Sequence, residues 1–374
     1  MKAFVFTDKG LERYAGRFVW LSINTEAAEN AAFLKRYPIP ALPTMLVIDP
    51  KKDAVTMRFV GGATVPQLSK MLDGVTAKTQ SPADELLSKG DALASDGKNE
   101  EALPLYEQAL AKAPKGWRNF GRAAEALVVT SSLAGKSEAC ADRAAELYPQ
   151  LKGTPSGANV AATGLSCAAG LDEKLTKRAD LLKTLEAATK EAFADPNLKI
   201  AADDRSGMYM SLLDAREAAR DQEGVEDLTE QWSEFLDAEA AKAKSPTQRT
   251  VFDSHRLTAY LNLGAPEKAI PMLEQSEKDF PNDYNPPARL AVAYKAMKQY
   301  DKALAASDRA MKHVYGPRKL IVMSTRADIY EAMGDKAAAK KIVEEMIAYA
   351  KALPESQRSE RRIASLEKKL ATMQ

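Results

Sequence analysis

PNDYNPPARLAVAYKAMKQYDKALAASDRAMKHVYGP, from Pro281 to Pro317, decides the fold of this chain. It reads as two amphipathic helices folded on each other. The first runs from Ala288 to Lys298 with Leu290, Ala291 and Tyr294 on one face, and the second from Asp301 to His313 with Ala303 and Ala310 inward. Small residues at Ala291, Ala303 and Ala310 let the backbones approach, and Tyr294 and Leu304 fill the gaps. A hairpin of this size cannot bury its own apolar faces, so it requires stacked copies of itself.

The copies are marked by a ladder of prolines at Pro114, Pro149, Pro196, Pro246, Pro281, Pro317 and Pro354, with successive spacings of 35, 47, 50, 35, 36 and 37 residues. The first unit carries Gly90, Gly97, Ala102, Tyr106, Ala109 and Pro114. Glycine is expected at Gly97 for a tight turn and at Gly90 to let the second helix lie close. The pattern returns as Tyr260, Gly264, Ala269 and Pro281, then Ala291, Tyr294, Tyr300, Ala303 and Ala310, then Ala327, Tyr330, Gly334 and Ala339. These units resemble tetratricopeptide repeats, whose period is about 34 residues. Between them, Arg118 to Leu147, Asn159 to Phe193 and Ser206 to Ala241 read as looser helix pairs broken at Gly135, Gly170 and Gly224. A charged last helix from Arg358 to Met373, with Ile363, Leu366 and Leu370 on one side, is expected to cap the array.

The bulk composition bounds the function classes. A net charge of +1 on 374 residues gives no basic field for nucleic acid or an anionic membrane. No apolar run reaches the length of a spanning helix, and Met1 to Phe6 lacks the apolar core of a secretion signal. Cys140 and Cys167 are the two cysteines, which fits a reducing compartment or a single disulfide in an oxidising one. The chain as written is expected in the cytoplasm, and in the periplasm or outside the cell if the natural start lies upstream.

The first 75 residues read differently. Phe18 to Asn24, Met45 to Asp49 and Ala54 to Val60 are β-rich runs, with helices expected over Thr25 to Tyr37 and Thr64 to Leu72. Tyr37-Pro38-Ile39-Pro40-Ala41-Leu42-Pro43-Thr44 running into MLVID resembles the rear part of a thioredoxin fold. The resemblance implies a cis peptide before Pro43. The family's Cys-x-x-Cys has no counterpart before Cys140, and the strand preceding that motif is also missing. Phe18 to Asn24 and Met45 to Asp49 would then flank a vacant central position in the sheet. Two expectations follow: a start upstream of Met1, or a degenerate domain rearranged to close the gap. A vacant position also suggests pairing with a second copy, giving a homodimer.

The expected fold is therefore mainly α: a tetratricopeptide-like helical superhelix with a small N-terminal α/β thioredoxin-like domain. Its parts are 1–75, a linker over 76–83, repeats over 84–354 and a capping helix over 355–374. Such arrays bind in the groove lined by the first helix of each pair. The repeat frame places His255, Thr258 and Asn262, then Asn285, Arg289 and Lys295, then Ser324, Thr325, Asp328 and Glu331 there. Arg289 and Lys295 are suited to a peptide carboxylate, although the same residues also read as ordinary solvated surface. Cys140 and Cys167 read either as a disulfide between adjacent helices or as small buried hydrophobes. Gly135-Lys136-Ser137 lacks the upstream glycine and strand of a phosphate loop. His255 and His313 are too few for a histidine metal site. Asp203-Asp204 and Glu226-Asp227 are explained by helix-end electrostatics, and Trp20, Trp117 and Trp232 as core or groove fillers. No nucleophile and base emerge together, so no metal, cofactor or catalytic residue is expected. The favoured function is a scaffold binding a protein or peptide partner. The other reading is a thiol-disulfide oxidoreductase whose Cys-x-x-Cys lies upstream.

Overall fold

The computed structural model describes residues 1, 3–77 and 81–373. A 3-10 turn over Lys9–Tyr14 is followed by α1 (Ala31–Arg36), the strands β1 (Thr44–Asp49) and β2 (Ala54–Val60), and α2 (Val65–Val75). Then come α3 (Pro82–Ser95), α4 (Asn99–Ala111), α5 (Phe120–Leu133), α6 (Ser137–Leu151), α7 (Pro155–Ala169), α8 (Arg178–Ala194), α9 (Ala202–Ala218) and α10 (Gln222–Ala241). The short α11 (Pro246–Arg249) leads into α12 (Asp253–Asn262), α13 (Ala269–Asp279), α14 (Asn285–Ala296), α15 (Tyr300–Met311), α16 (Lys319–Met333), α17 (Lys336–Ala352) and α18 (Glu360–Thr372). Among the described residues no helix is long and apolar enough to cross a membrane. The chain divides into two compact units, Met1–Val19 with Tyr37–Trp232, and Trp20–Arg36 with Ser233–Gln374.

In the first unit, β1 and β2 form an antiparallel hairpin from Thr44↔Val60 to Asp49↔Ala54, irregular between Val47 and Ile48. The Leu42–Pro43 peptide is cis. Thr64 and Gln67 form a reciprocal capping box that starts α2. Met57, Phe59, Leu68 and Leu72 bury their side chains with Tyr14. The hairpin is the whole sheet among the described residues. β2 packs along α3, so the hairpin belongs to one unit with the repeats rather than ending at 76–83. Residues 78–80 of the expected linker lie outside the described residues.

The expected strand over Phe18 to Asn24 does not form: Val19 is 88% and Leu21 73% exposed, and the stretch is not in a strand. A strand exists through pairing, and without it β propensity alone does not order the chain. The vacant sheet position therefore loses one of its walls, and with it the premise of dimerisation through that gap. The expected helix over Thr25 to Tyr37 shrinks to a 3-10 turn at Ala28–Asn30 and the six residues of α1. The cause is tertiary. The carbonyls of Thr25 and Ala27 accept from Gln357 Nε2 at 3.2 and 3.3 Å, which competes with an intrahelical ladder.

Helix pairing in the first unit follows from small residues. Gly90 is required because a Cβ there would stand 2.6 Å from Tyr106 Cε1, and Tyr106 fills the space between α3 and α4. Gly97 takes φ +78 in the turn between them. Asp84 closes the capping box of Ser81 and also accepts from Trp117 Nε1 and Asn119 Nδ2, both at 2.8 Å. Burial raises its pKa, but these hydrogen bonds outweigh burial and hold it below the ordinary range. Two expected boundaries are corrected. Pro149 lies inside α6, and the break falls at Gly153, before the Thr154 cap and Pro155. Gly224 sits in the first turn of α10 with its N–H bound to Asp221 Oδ1, so the chain turns instead at Arg220, where φ is +57. Cys140 and Cys167 join α6 to α7 in a disulfide.

In the second unit α12 and α13, α14 and α15, and α16 and α17 are the stacked pairs. Pro286 and Pro287 occupy the first turn of α14, where a missing N–H costs nothing, and start it three residues earlier than expected. α18 closes the stack by laying Ile363 and Leu366 on Leu320, Met346 and Leu353.

Candidate protein-binding surface

The first helices of the pairs present different surfaces in the two units. In the first unit parts of this surface, on α3, α5 and α9, are covered by the chain itself. Asp91 of α3 is fully buried and accepts from the Arg58 N–H of β2 at 3.0 Å, from Tyr106 O–H at 3.0 Å and from Arg122 Nη1 of α5 at 2.5 Å. Ser88 Oγ donates to the Thr56 carbonyl at 3.0 Å. Further along, Glu125 of α5 is buried, and burial pushes its pKa up to about 7 against hydrogen bonds from Ser156 and Asn159. Asp204 of α9 is likewise pushed up to about 7, by burial and by Asp203, although the Gly62 N–H donates to it. Asp203-Asp204 is therefore not a simple exposed helix end: Asp204 anchors the loop after β2.

In the second unit the first helix α12 carries exposed polar side chains, and the groove residues of α14 are half-buried. Thr258 and Asn262 are exposed on α12, and His255 is half-buried beside them. Asn285 is tied to its own loop, with its N–H and Nδ2 donating to Asp283 Oδ1 at 2.8 and 2.7 Å. Arg289 is not the open cation expected. It is half-buried, and burial draws its pKa down against the pull of Asp253, Asp283 and Tyr284. Asp253 itself is fully buried, accepting from Ser276 Oγ at 2.6 Å, and burial raises its pKa.

Lys295 and Asp328 are brought together at 3.7 Å across α14 and α16. Lys369 of α18 reaches Asp328 at 3.5 Å and Glu331 at 3.0 Å. This chain of charges is internally balanced, so Lys295 has a carboxylate already. Of the two residues suited to a peptide carboxylate, Lys295 is thus paired within the chain and Arg289 is half-buried. The segment 20–36 lies on the connecting loops of the same unit. Glu26 accepts from Arg318 Nε at 2.7 Å and Tyr284 O–H at 2.9 Å, and Ser356 Oγ donates to the Ala31 carbonyl at 3.0 Å.

Sequence reasoning missed a cleft between α16 and α18, about 500 Å³ in volume, with Arg361 and Arg362 on its rim. A signal was available. Two arginines in the first turn of a helix oppose its dipole and outnumber the one carboxylate there, Glu360. Among the tryptophans, Trp117 and Trp232 are core residues, while Trp20 is 46% exposed. No group of His, Cys, Asp and Glu able to hold a metal ion occurs among the described residues.

Residues 85–116 match the family model described as tetratricopeptide repeat. No curated protein matches the chain. Among solved structures, the chain is similar to a tetratricopeptide repeat protein from Parabacteroides merdae at 14% identity, with 78% of this chain and 98% of that one covered and a TM-score of 0.44. It is also similar to the RpL4 assembly chaperone Acl4, with identical identity and coverage and a TM-score of 0.39. A third is the TPR2AB domain of yeast Sti1 in complex with pHSP90, at 14% identity, 77% and 98% coverage and a TM-score of 0.29.

Proposed function

We propose that this chain is a non-enzymatic interaction protein that takes an extended segment of a partner polypeptide along α12, α14 and α16. The observation that carries this reading is the contrast between the two units. The first-helix surface around α3, α5 and α9 is covered by β2 and the loop at Gly62, whereas Thr258 and Asn262 remain in solvent. The tetratricopeptide match at 85–116 supports the same class of function. Cys140 and Cys167 are bonded to each other and buried, so neither supplies the thiolate that exchange chemistry needs. Their bond also supports an oxidising compartment as the working location.

The test is partner capture by cross-linking to the immobilised full chain. Thr258→Arg with Asn262→Arg places bulk and charge on the proposed surface, and Glu344→Lys alters the exposed side of α17 as a control. Loss of the cross-linked partner with the first variant and retention with the second is the expected result. Equal capture by both variants refutes the reading.

A further inference from the structure

The cleft between α16 and α18 is assembled from three kinds of side chain. Leu320, Met346 and Leu366 form a buried apolar floor, and Ile321, 46% exposed, stands at its lip. Arg361 and Arg362 line the rim in the first turn of α18, and both are exposed with no ion pair among the described residues. Ser324 and Ser359 add hydroxyls; Ser359 caps the helix by accepting from the Arg362 N–H at 3.2 Å. No acidic side chain lines the cleft among the described residues.

This differs from the neighbouring stretch of the same surface, where Lys295, Asp328, Lys369 and Glu331 neutralise one another. Two guanidiniums beside a helix N-terminus repel each other and the dipole; Glu360 of the same turn is paired with Arg358 at 2.8 Å, and a further anion would relieve the remaining cost. The volume falls within the range of ligand sites and exceeds what one small ion fills. The floor suits aliphatic side chains, and the rim suits carboxylates through forked hydrogen bonds.

We infer that the cleft binds an acidic, aliphatic stretch of a partner polypeptide, with Leu or Ile side chains on Leu320, Met346 and Leu366 and Asp or Glu side chains on Arg361 and Arg362. This rests on the reading of the second unit as a peptide-binding surface and gives that surface a sequence preference.

The probe is a short fluorescent peptide alternating Asp with Leu, capped at both ends, titrated into the full chain by fluorescence polarisation. Saturable binding that weakens with added salt is expected. Affinity should fall about tenfold or more in R361A/R362A. In R361E/R362E the preference should invert toward the matching Lys-Leu peptide. Both positions are exposed, and circular dichroism verifies that the variants keep their helices. Equal binding of an Asn-Leu peptide overturns the inference, since the arginines would then do nothing. Binding only of a neutral peptide with a free C-terminus overturns it too, by assigning the site to a chain end. If the capped acidic peptide fails while partner capture survives, this inference falls alone; if capture also fails, the functional reading falls with it.

Discussion

Removing the carboxylate of Asp91 should unfasten the hairpin from the repeats. Asp91 has no exposed surface and is the acceptor for three donors: the Arg58 N–H, the Tyr106 O–H and the Arg122 guanidinium. Asp91→Ala leaves Arg122, whose side chain is 13% exposed, without its carboxylate and with a 3.3 Å contact to the Arg58 carbonyl. Breaking a buried pair from one side costs about 3–5 kcal/mol. Each orphaned neutral donor costs about 1–3 kcal/mol. These losses share one cavity and relax together, so the net expectation is about 4 kcal/mol, a large part of an ordinary domain's stability. The assay is urea unfolding followed by fluorescence. Trp117 reports on the same unit, since it is buried and its indole N–H bonds to Asp84 on α3. Hydrogen exchange over 54–60 should quicken in parallel. Asp91→Ala with Arg122→Leu should be less damaged than Asp91→Ala alone, because the stranded charge is gone. A single-variant loss below about 1 kcal/mol, or a double variant whose losses simply add, would refute the reasoning.

Other outcomes follow from the same unit. Reducing the Cys140–Cys167 bond, or replacing both residues with alanine, frees a loop spanning 27 residues in sequence. Chain entropy puts the loss at about 3.5 kcal/mol, read as a lower urea midpoint and faster exchange in α6 and α7; an unchanged midpoint would contradict it. Glu125 and Asp204 both have folded pKa values near 7, above their unfolded values. The folded state therefore holds extra protons between about pH 4 and 7, and stability from these groups falls as pH rises through that window, by order of 3 kcal/mol for Glu125. Melting temperatures at pH 5 and pH 8 test the sign, and Glu125→Gln should flatten the slope. Gly90→Ala drives a methyl into Tyr106, so overpacking should cost about 1–3 kcal/mol, measured by the same urea titration.

The helix pairs were legible because their signals are local. The apolar spacing of Leu290, Ala291 and Tyr294 and the turn at Gly97 each act within a few residues, and the structure has a helix and a turn at these places. The hairpin was legible for the same reason, since Pro50 to Asp53 turns one β-rich run directly onto the next. Phe18 to Asn24 misled because a strand's propensity says nothing about whether an edge is available to it. The repeat frame indicates which way a side chain such as Arg289 leaves the helix, whereas its half-buried depth is set by the packing of α12 on α14.

The sequence alone determined the repeat pattern at both ends of the array, the alternation of first and second helices there, and the need for glycine at Gly90 and Gly97, because these arise from backbone sterics and from neighbours three or four positions away. Only the tertiary structure decided which first-helix surface is covered, that Asp91 and Glu125 are buried, and that Arg361 and Arg362 face a cleft lined by no acid among the described residues. Burial and charge pairing depend on residues far apart in the chain, such as Arg58 and Asp91 or Asp328 and Lys369, and no local pattern carries their separation.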